Sequence, residues 1–166
     1  MTTPPPSGRT ASRNGNQLEL FVMHTLEAKG FLIVPYRQWC QRPKSNQDVL
    51  VRRVPCQTIY GKTTHTEFVL HSPRLGSSAP IRIECKWQQA NGSVDEKFPY
   101  MYLNALNAPE PTIVFLIDGG GAKPEAVQWL QNACHQSWGH SLASSVKTLW
   151  VWNMSDFFAW VNRNFL

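Results

Sequence analysis

A chain of 166 residues, 42% hydrophobic and 16% charged, has the composition of one globular domain and the length to bury a full core. Its formal net charge of +5 is concentrated: Arg37, Arg42, Lys44, Arg52, Arg53 and Lys62 stand against one acid, Asp48. No apolar run approaches the roughly 20 residues that span a bilayer, and residues 1–14 lack the apolar stretch of a secretory signal.

Met1 to Asn14, with its run Pro4-Pro5-Pro6, reads as a flexible arm, leaving 15–166 as a single domain. Asn16 to Lys29 reads as a helix, with Leu18, Phe21, Val22 and Leu26 on one face and Gly30 as its stop. Phe31 to Trp39 reads as a strand that Pro35 places at an edge or a bend. Gln41 to Pro55 is polar and basic, and is expected to be a long loop. Cys56 to Tyr60 reads as a short strand turning at Gly61 into a strand over Thr64–His71. Pro80 to Trp87 is the next strand.

The second helix has two candidate starts. Ser93 and Glu96 have capping-box spacing, which would start it at Val94; Pro99 at the first helical position would start it later, and we favour the later start. Thr112 to Ile117 is a buried strand by its continuous apolar run. Asp118-Gly119-Gly120-Gly121 ends that strand and reads as a flexible turn. It lacks the spacing of phosphate-cradling loops, so no nucleotide cofactor is expected. Pro124–Cys134 reads as a helix, Lys147–Trp152 as a strand, and Ser155–Asn162 as a last helix capped by Ser155. This order argues for an α/β sandwich around a mixed sheet.

Two of the strand-like runs carry chemistry: Thr66-Glu67-Phe68-Val69-Leu70 and Ile83-Glu84-Cys85-Lys86-Trp87. Alternate side chains of a strand share a face, so Glu84 and Lys86 point the same way. If the two runs pair, Glu67 joins them, and His65 shares its parity. Two carboxylates suit Mg²⁺, which takes oxygen ligands and keeps several waters. A neighbouring ammonium can orient a water or offset charge on a phosphate. Cys85 faces the other way and reads as a buried free thiol. Cys40, Cys56, Cys85 and Cys134 show no C-x-x-C spacing, which accords with a reducing cytoplasm. The basic stretch, interleaved with Tyr36, Trp39 and Tyr60, suits a nucleic-acid backbone; a solvated loop face is the plainer alternative.

A helix with an acid, a strand with an acid, a strand with Glu-x-Lys and then a helix: this order resembles the PD-(D/E)XK nuclease superfamily. The resemblance covers roughly residues 15–152. It implies a restriction-endonuclease-like fold, a mixed sheet flanked by helices with an αβββαβ core. Glu67 matches the first acid of the motif, Glu84 the second and Lys86 its lysine. In Gly15-Asn16-Gln17-Leu18-Glu19, Glu19 matches an acid that Holliday-junction-resolvase-like members carry on their opening helix, although Asn16 and Glu19 also have capping-box spacing. Gln88 and Gln89 fall where several members have a glutamine, and strand parity selects Gln88; a strand-end hydrogen bond is the alternative. The chain departs from the usual Pro-Asp, having Thr66-Glu67 there.

The resemblance thus implies a catalytic set of Glu67, Glu84, Lys86, Glu19 and Gln88, with Glu67, Glu84 and Glu19 as metal ligands. Mg²⁺ would be the cofactor, with Mn²⁺ as a substitute. DNA would be the partner, contacted by Arg37, Arg42, Lys44, Arg52, Arg53, Lys62 and Lys97, and a homodimer would cut both strands. The function implied is a Mg²⁺-dependent DNA endonuclease of the cytoplasm, in a restriction, repair, phage or mobile-element setting. A junction resolvase and a non-catalytic nucleic-acid-binding module of the same fold remain the alternatives.

Overall fold

The computed structural model describes residues 8–43, 46–76, 79–89, 95–143 and 145–166. Helix α1 (Gly8–Glu27) leads to strand β1 (Leu32–Pro35), a one-turn helix α2 (Tyr36–Trp39), and strands β2 (Val49–Gln57), β3 (Thr63–His71) and β4 (Ile81–Trp87). Helix α3 (Phe98–Leu106), strand β5 (Thr112–Asp118), helix α4 (Pro124–His135), strand β6 (Thr148–Trp152) and helix α5 (Met154–Asn164) complete the order. The six strands lie in one sheet in chain order. β3 is antiparallel to β2 and to β4, while the other neighbours are parallel. Five strands therefore send their C-terminal ends to one edge, where ligands of open α/β sheets commonly bind. The α/β class with a mixed sheet flanked by helices is the one expected.

Each face of the sheet carries a core. Leu18, Val22 and Leu26 of α1 and Phe157 and Val161 of α5 pack with Leu50, Phe68, Ile83, Cys85, Val114 and Leu116. On the other face Phe98, Met101 and Tyr102 of α3 and Leu130 of α4 pack with Ile113, Phe115 and Ile117. β5 is covered on both sides, which is why its sequence is apolar without alternation.

Several elements differ from the sequence-based expectation. Helix α1 begins at Gly8 and takes in residues 8–14, which read as part of an arm. Residues 1–7 lie outside the described residues. The expected strand over Phe31–Trp39 stops at Pro35 and turns into α2, and β1 is an edge strand, as its proline suggested. Within the expected loop, Val49 already starts β2, and Val49, Leu50 and Val51 are buried between β1 and β3. Arg52 and Arg53 had hidden this apolar start.

The last helix is capped by Asn153 and not by Ser155. The Asp156 N–H donates to Asn153 Oδ1 at 2.9 Å, and the Asn153 N–H donates to Asp156 Oδ2 at 3.1 Å. Helix α3 starts at Phe98 with Pro99 in its first turn, the favoured start; Ser93 and Val94 lie outside the described residues.

The glycine turn after β5 is tied down. The Gly119 N–H donates to Asp118 Oδ1 at 2.7 Å, and the Gly121 N–H donates to Gln88 O at 2.8 Å. Asp118 Oδ2 accepts from the Met154 N–H at 2.9 Å, so one carboxylate links this turn to the start of α5. Gly119 has φ +106°, and a Cβ there would lie 2.3 Å from Gln88 O. Gly119→Ala is expected to destabilise the protein by more than about 1 kcal/mol, read as a lower urea midpoint with an unchanged slope.

Candidate active site

The β3–β4 ladder comprises Leu70↔Ile81, Val69↔Arg82 and Phe68↔Ile83, and so ends one residue short of Glu67. Beyond it the Glu67 side chain takes the place of a backbone partner. Glu67 Oε2 accepts the Cys85 N–H at 3.3 Å. Lys86 Nζ donates to Glu67 Oε1 at 3.1 Å and to Cys85 O at 2.9 Å. On the opposite side, the β2–β3 register passes from Arg52↔Phe68 to Val54↔Thr66, with Arg53 between them at φ 53°. A left-handed non-glycine residue costs about 1–2 kcal/mol, and such strain gathers at functional positions. Glu67 therefore stands where the pairing on both sides has opened.

The two carboxyls form one titrating unit. Burial and the neighbouring Glu67 push the Glu84 pKa up to about 7, against the opposing pull of Lys86 and Arg82. Burial also works against charge on Glu67, but the Lys86 ammonium and hydrogen bonds from Glu84 and Lys86 outweigh it and hold Glu67 below the ordinary value. Of the two carboxyls, Glu84 therefore holds its proton to the higher pH and Glu67 ionises first. Lys86 stays charged: burial disfavours its ammonium, yet Glu67 and Glu84 raise its pKa. Cys85 lies on the opposite face, where burial pushes its thiol well up.

Sequence reasoning missed Arg82. It shares strand parity with Glu84 and Lys86, so the same alternation that selected those two also selected it. Arg82 is 4% exposed; its Nη1 lies 3.3 Å from Glu84 Oε1 and its Nε donates to Glu110 Oε2 at 2.8 Å. Glu110 is itself buried, in the loop before β5. Arg82 braces the back of Glu84 while Glu67 and Lys86 meet its front. All four line a cleft of about 290 Å³, together with His65, Lys97 and Tyr100.

Other expected residues fall at graded distances from this centre. Glu19 on α1 feels the site: burial and then Glu67 raise its pKa, while Arg52, Lys86 and Arg53 lower it. Among the described residues no three His, Cys, Asp or Glu side chains are arranged to hold a metal, so Glu19 stands beside the pair and does not complete a three-carboxylate set. Gln88 is buried, its Nε2 donating to Gly121 O at 3.1 Å. β4 ends at Trp87, one residue before it, and this contact is a strand-end hydrogen bond.

Among the cations, Lys97 lines the cleft and Lys62 is exposed where β2 turns into β3. Arg52 and Arg53 lie close enough to affect Glu19. Arg37 and Arg42 are exposed on α2 and the turn after it, and Arg42 lines a separate hollow with Tyr36, Trp39 and Cys40. Lys44 lies outside the described residues.

The donor set fits a hard divalent cation. Two carboxyls lining one cleft, one of them with its pKa raised by burial and by its neighbour, supply the oxygen ligands such an ion takes, and the ion would displace the proton. Without metal, the raised Glu84 pKa favours the folded state below the ordinary value of 4.5, and that contribution is lost as pH rises through about 7. Glu84→Gln mimics the protonated form. In EDTA its Tm is expected to match the parent below about pH 4.5 and exceed it above pH 7, as followed by calorimetry.

No curated protein matches the sequence. A family model described as a PD-(D/E)XK nuclease superfamily domain matches residues 10–165, taking in every strand, the acid pair and Lys86. The match extends beyond β3 and β4 to α1 and α5, which pack beneath the sheet, and the chain belongs to the PD-(D/E)XK nuclease superfamily.

Proposed function

We propose that this member of the nuclease superfamily is a Mg²⁺-dependent DNA endonuclease that hydrolyses phosphodiesters by in-line attack of water. The observation that carries the reading is the gathering of Glu67, Glu84 and Lys86 in one cleft, with the Lys86 ammonium 3.1 Å from Glu67. Glu67 and Glu84 would hold Mg²⁺, or Mn²⁺ in its place, with Glu19 acting through water. The ion would polarise the phosphate and favour ionisation of the attacking water.

The chain supplies the rest. Lys86, anchored by Glu67 and the Cys85 carbonyl, presents a fixed charge beside the acids, where it orients the attacking water and offsets charge building on the phosphate. The Arg82–Glu110 pair keeps Glu84 from turning away. Lys97 on the cleft wall and Lys62, Arg52 and Arg53 near its mouth bind the phosphate backbone, a role open to Arg37 and Arg42 for a longer duplex.

A homodimer would bring two such sites to opposite strands. Its support is the aromatic surface at the free edge of the sheet, where Trp150 of β6 and Phe158 of α5 are 48% and 51% exposed. The free cysteines are compatible with a reducing cytoplasm. No helix among the described residues is long and apolar enough to cross a membrane.

Incubation with supercoiled plasmid, linear duplex, single strand and four-way junction tests the reading. Cleavage is expected in Mg²⁺ or Mn²⁺ and not in EDTA, and Lys86→Ala and Glu84→Ala should each lower the rate at least about 100-fold. Binding without cutting in either metal would sink the enzyme reading in favour of a binding module. Cutting confined to the junction would replace it with a resolvase.

A further inference from the structure

Beside the cleft stand two stacked aromatic rings that the chemistry above does not use, one of which, Tyr100, lines it. The turn between β2 and β3 is fastened to α3, the Ile59 N–H donating to Asn104 Oδ1 at 2.8 Å. The turn is closed internally by the Thr58 N–H donating to Lys62 O at 2.9 Å, with the Tyr60 and Lys62 amides both donating to Thr58 Oγ1 at 3.3 Å. This rigid turn carries Tyr60 outward. Its ring stacks on Tyr100 of α3, with centroids 5.5 Å apart and planes 23° apart, and yet Tyr60 remains 75% exposed. Tyr100 and Lys97 line the same cleft as Glu67, Glu84 and Lys86.

An aromatic ring that served only to brace the turn would gain more by burying itself. Tyr60 instead presents most of its surface to solvent while Tyr100 holds its orientation. A ring fixed in this way offers a flat apolar face at little further loss of side-chain freedom. Bases inside a duplex are already stacked on their neighbours and have no face to offer such a ring. An unpaired base has one, and base–aromatic stacking is tolerant of sequence. Lys62, two residues beyond Tyr60, and Lys97 are placed to hold the phosphates on either side.

We propose that Tyr60, backed by Tyr100, is a stacking platform for an unpaired nucleobase, so that the cleft takes DNA whose nucleotide beside the scissile phosphate lies outside the duplex. Single strands, overhangs and flaps share that chemistry. The inference rests on the nuclease reading of the same cleft and specifies its substrate.

The test is fluorescence anisotropy in EDTA with the full chain, using a labelled single-stranded oligonucleotide and the blunt duplex of the same sequence. Tyr60→Leu keeps an apolar contact on Tyr100 but removes the aromatic face, whereas Tyr60→Phe keeps both. The ratio of single-strand to duplex affinity is expected to fall about tenfold in Tyr60→Leu, within the range for loss of one base–aromatic stack, and to change by less than about twofold in Tyr60→Phe. An unchanged ratio in Tyr60→Leu, or equal losses in both variants, overturns the platform. If the parent chain still cuts DNA with Mg²⁺ in that case, the nuclease reading stands and only the platform falls. Failure to bind or cut either ligand overturns both.

Discussion

Everything at the catalytic edge depends on β3 and β4 separating at Glu67. Two antiparallel strands that stayed paired would bury their backbone groups in each other and leave no cleft. Here the ladder stops at Phe68↔Ile83, and the orphaned Cys85 amide is satisfied by the Glu67 carboxylate. The Cys85 carbonyl is satisfied by Lys86. Backbone groups must find partners when buried, and here Glu67 and Lys86 are those partners. The opening of the sheet and the fixing of the site are thus one event.

That arrangement bears on the glutamate found where an aspartate is usual in this superfamily. The additional methylene gives the carboxylate of Glu67 the reach to span from β3 to the Cys85 amide while its other oxygen meets Lys86. The strain that accompanies it is visible one strand away, in the left-handed Arg53. Behind the pair, a buried arginine shared between Glu84 and Glu110 keeps the second acid in place. Buried ion pairs seldom add net stability, but loss of one partner is severe, so the network imposes geometry more than it adds stability. Side chains held this way are organised before any ligand arrives.

Much of the fold was legible in local pattern. The apolar run of β5, the edge-marking Pro35 and the Pro99 start of α3 were all readable, because each reflects a backbone rule acting within a few residues. The errors have a common source, which is that a neighbouring strand or turn overrode the local signal. Val49 to Val51 became strand because β1 and β3 cover them, despite the arginines that follow. Asn153 and not Ser155 capped α5, where Asp118 from another strand supplies a further acceptor for the first turn.

The sequence by itself determined which side chains share a face. Alternation along a strand is a covalent consequence of the pleat, so Glu84 and Lys86 were bound to project together, and Arg82 with them. Strand order, and with it the placing of Glu67 against them, needed the register of β3 on β4. Only the tertiary structure decided that this register would open, that Glu67 would help raise the Glu84 pKa, and that Glu110 would return from a distant loop to hold Arg82. It also decided that Tyr60 would stack on Tyr100, 40 positions away, whose side chain lines the cleft. The physical reason is that parity is a property of one strand, whereas charge coupling, ion pairing and stacking depend on distances between segments that only packing brings together.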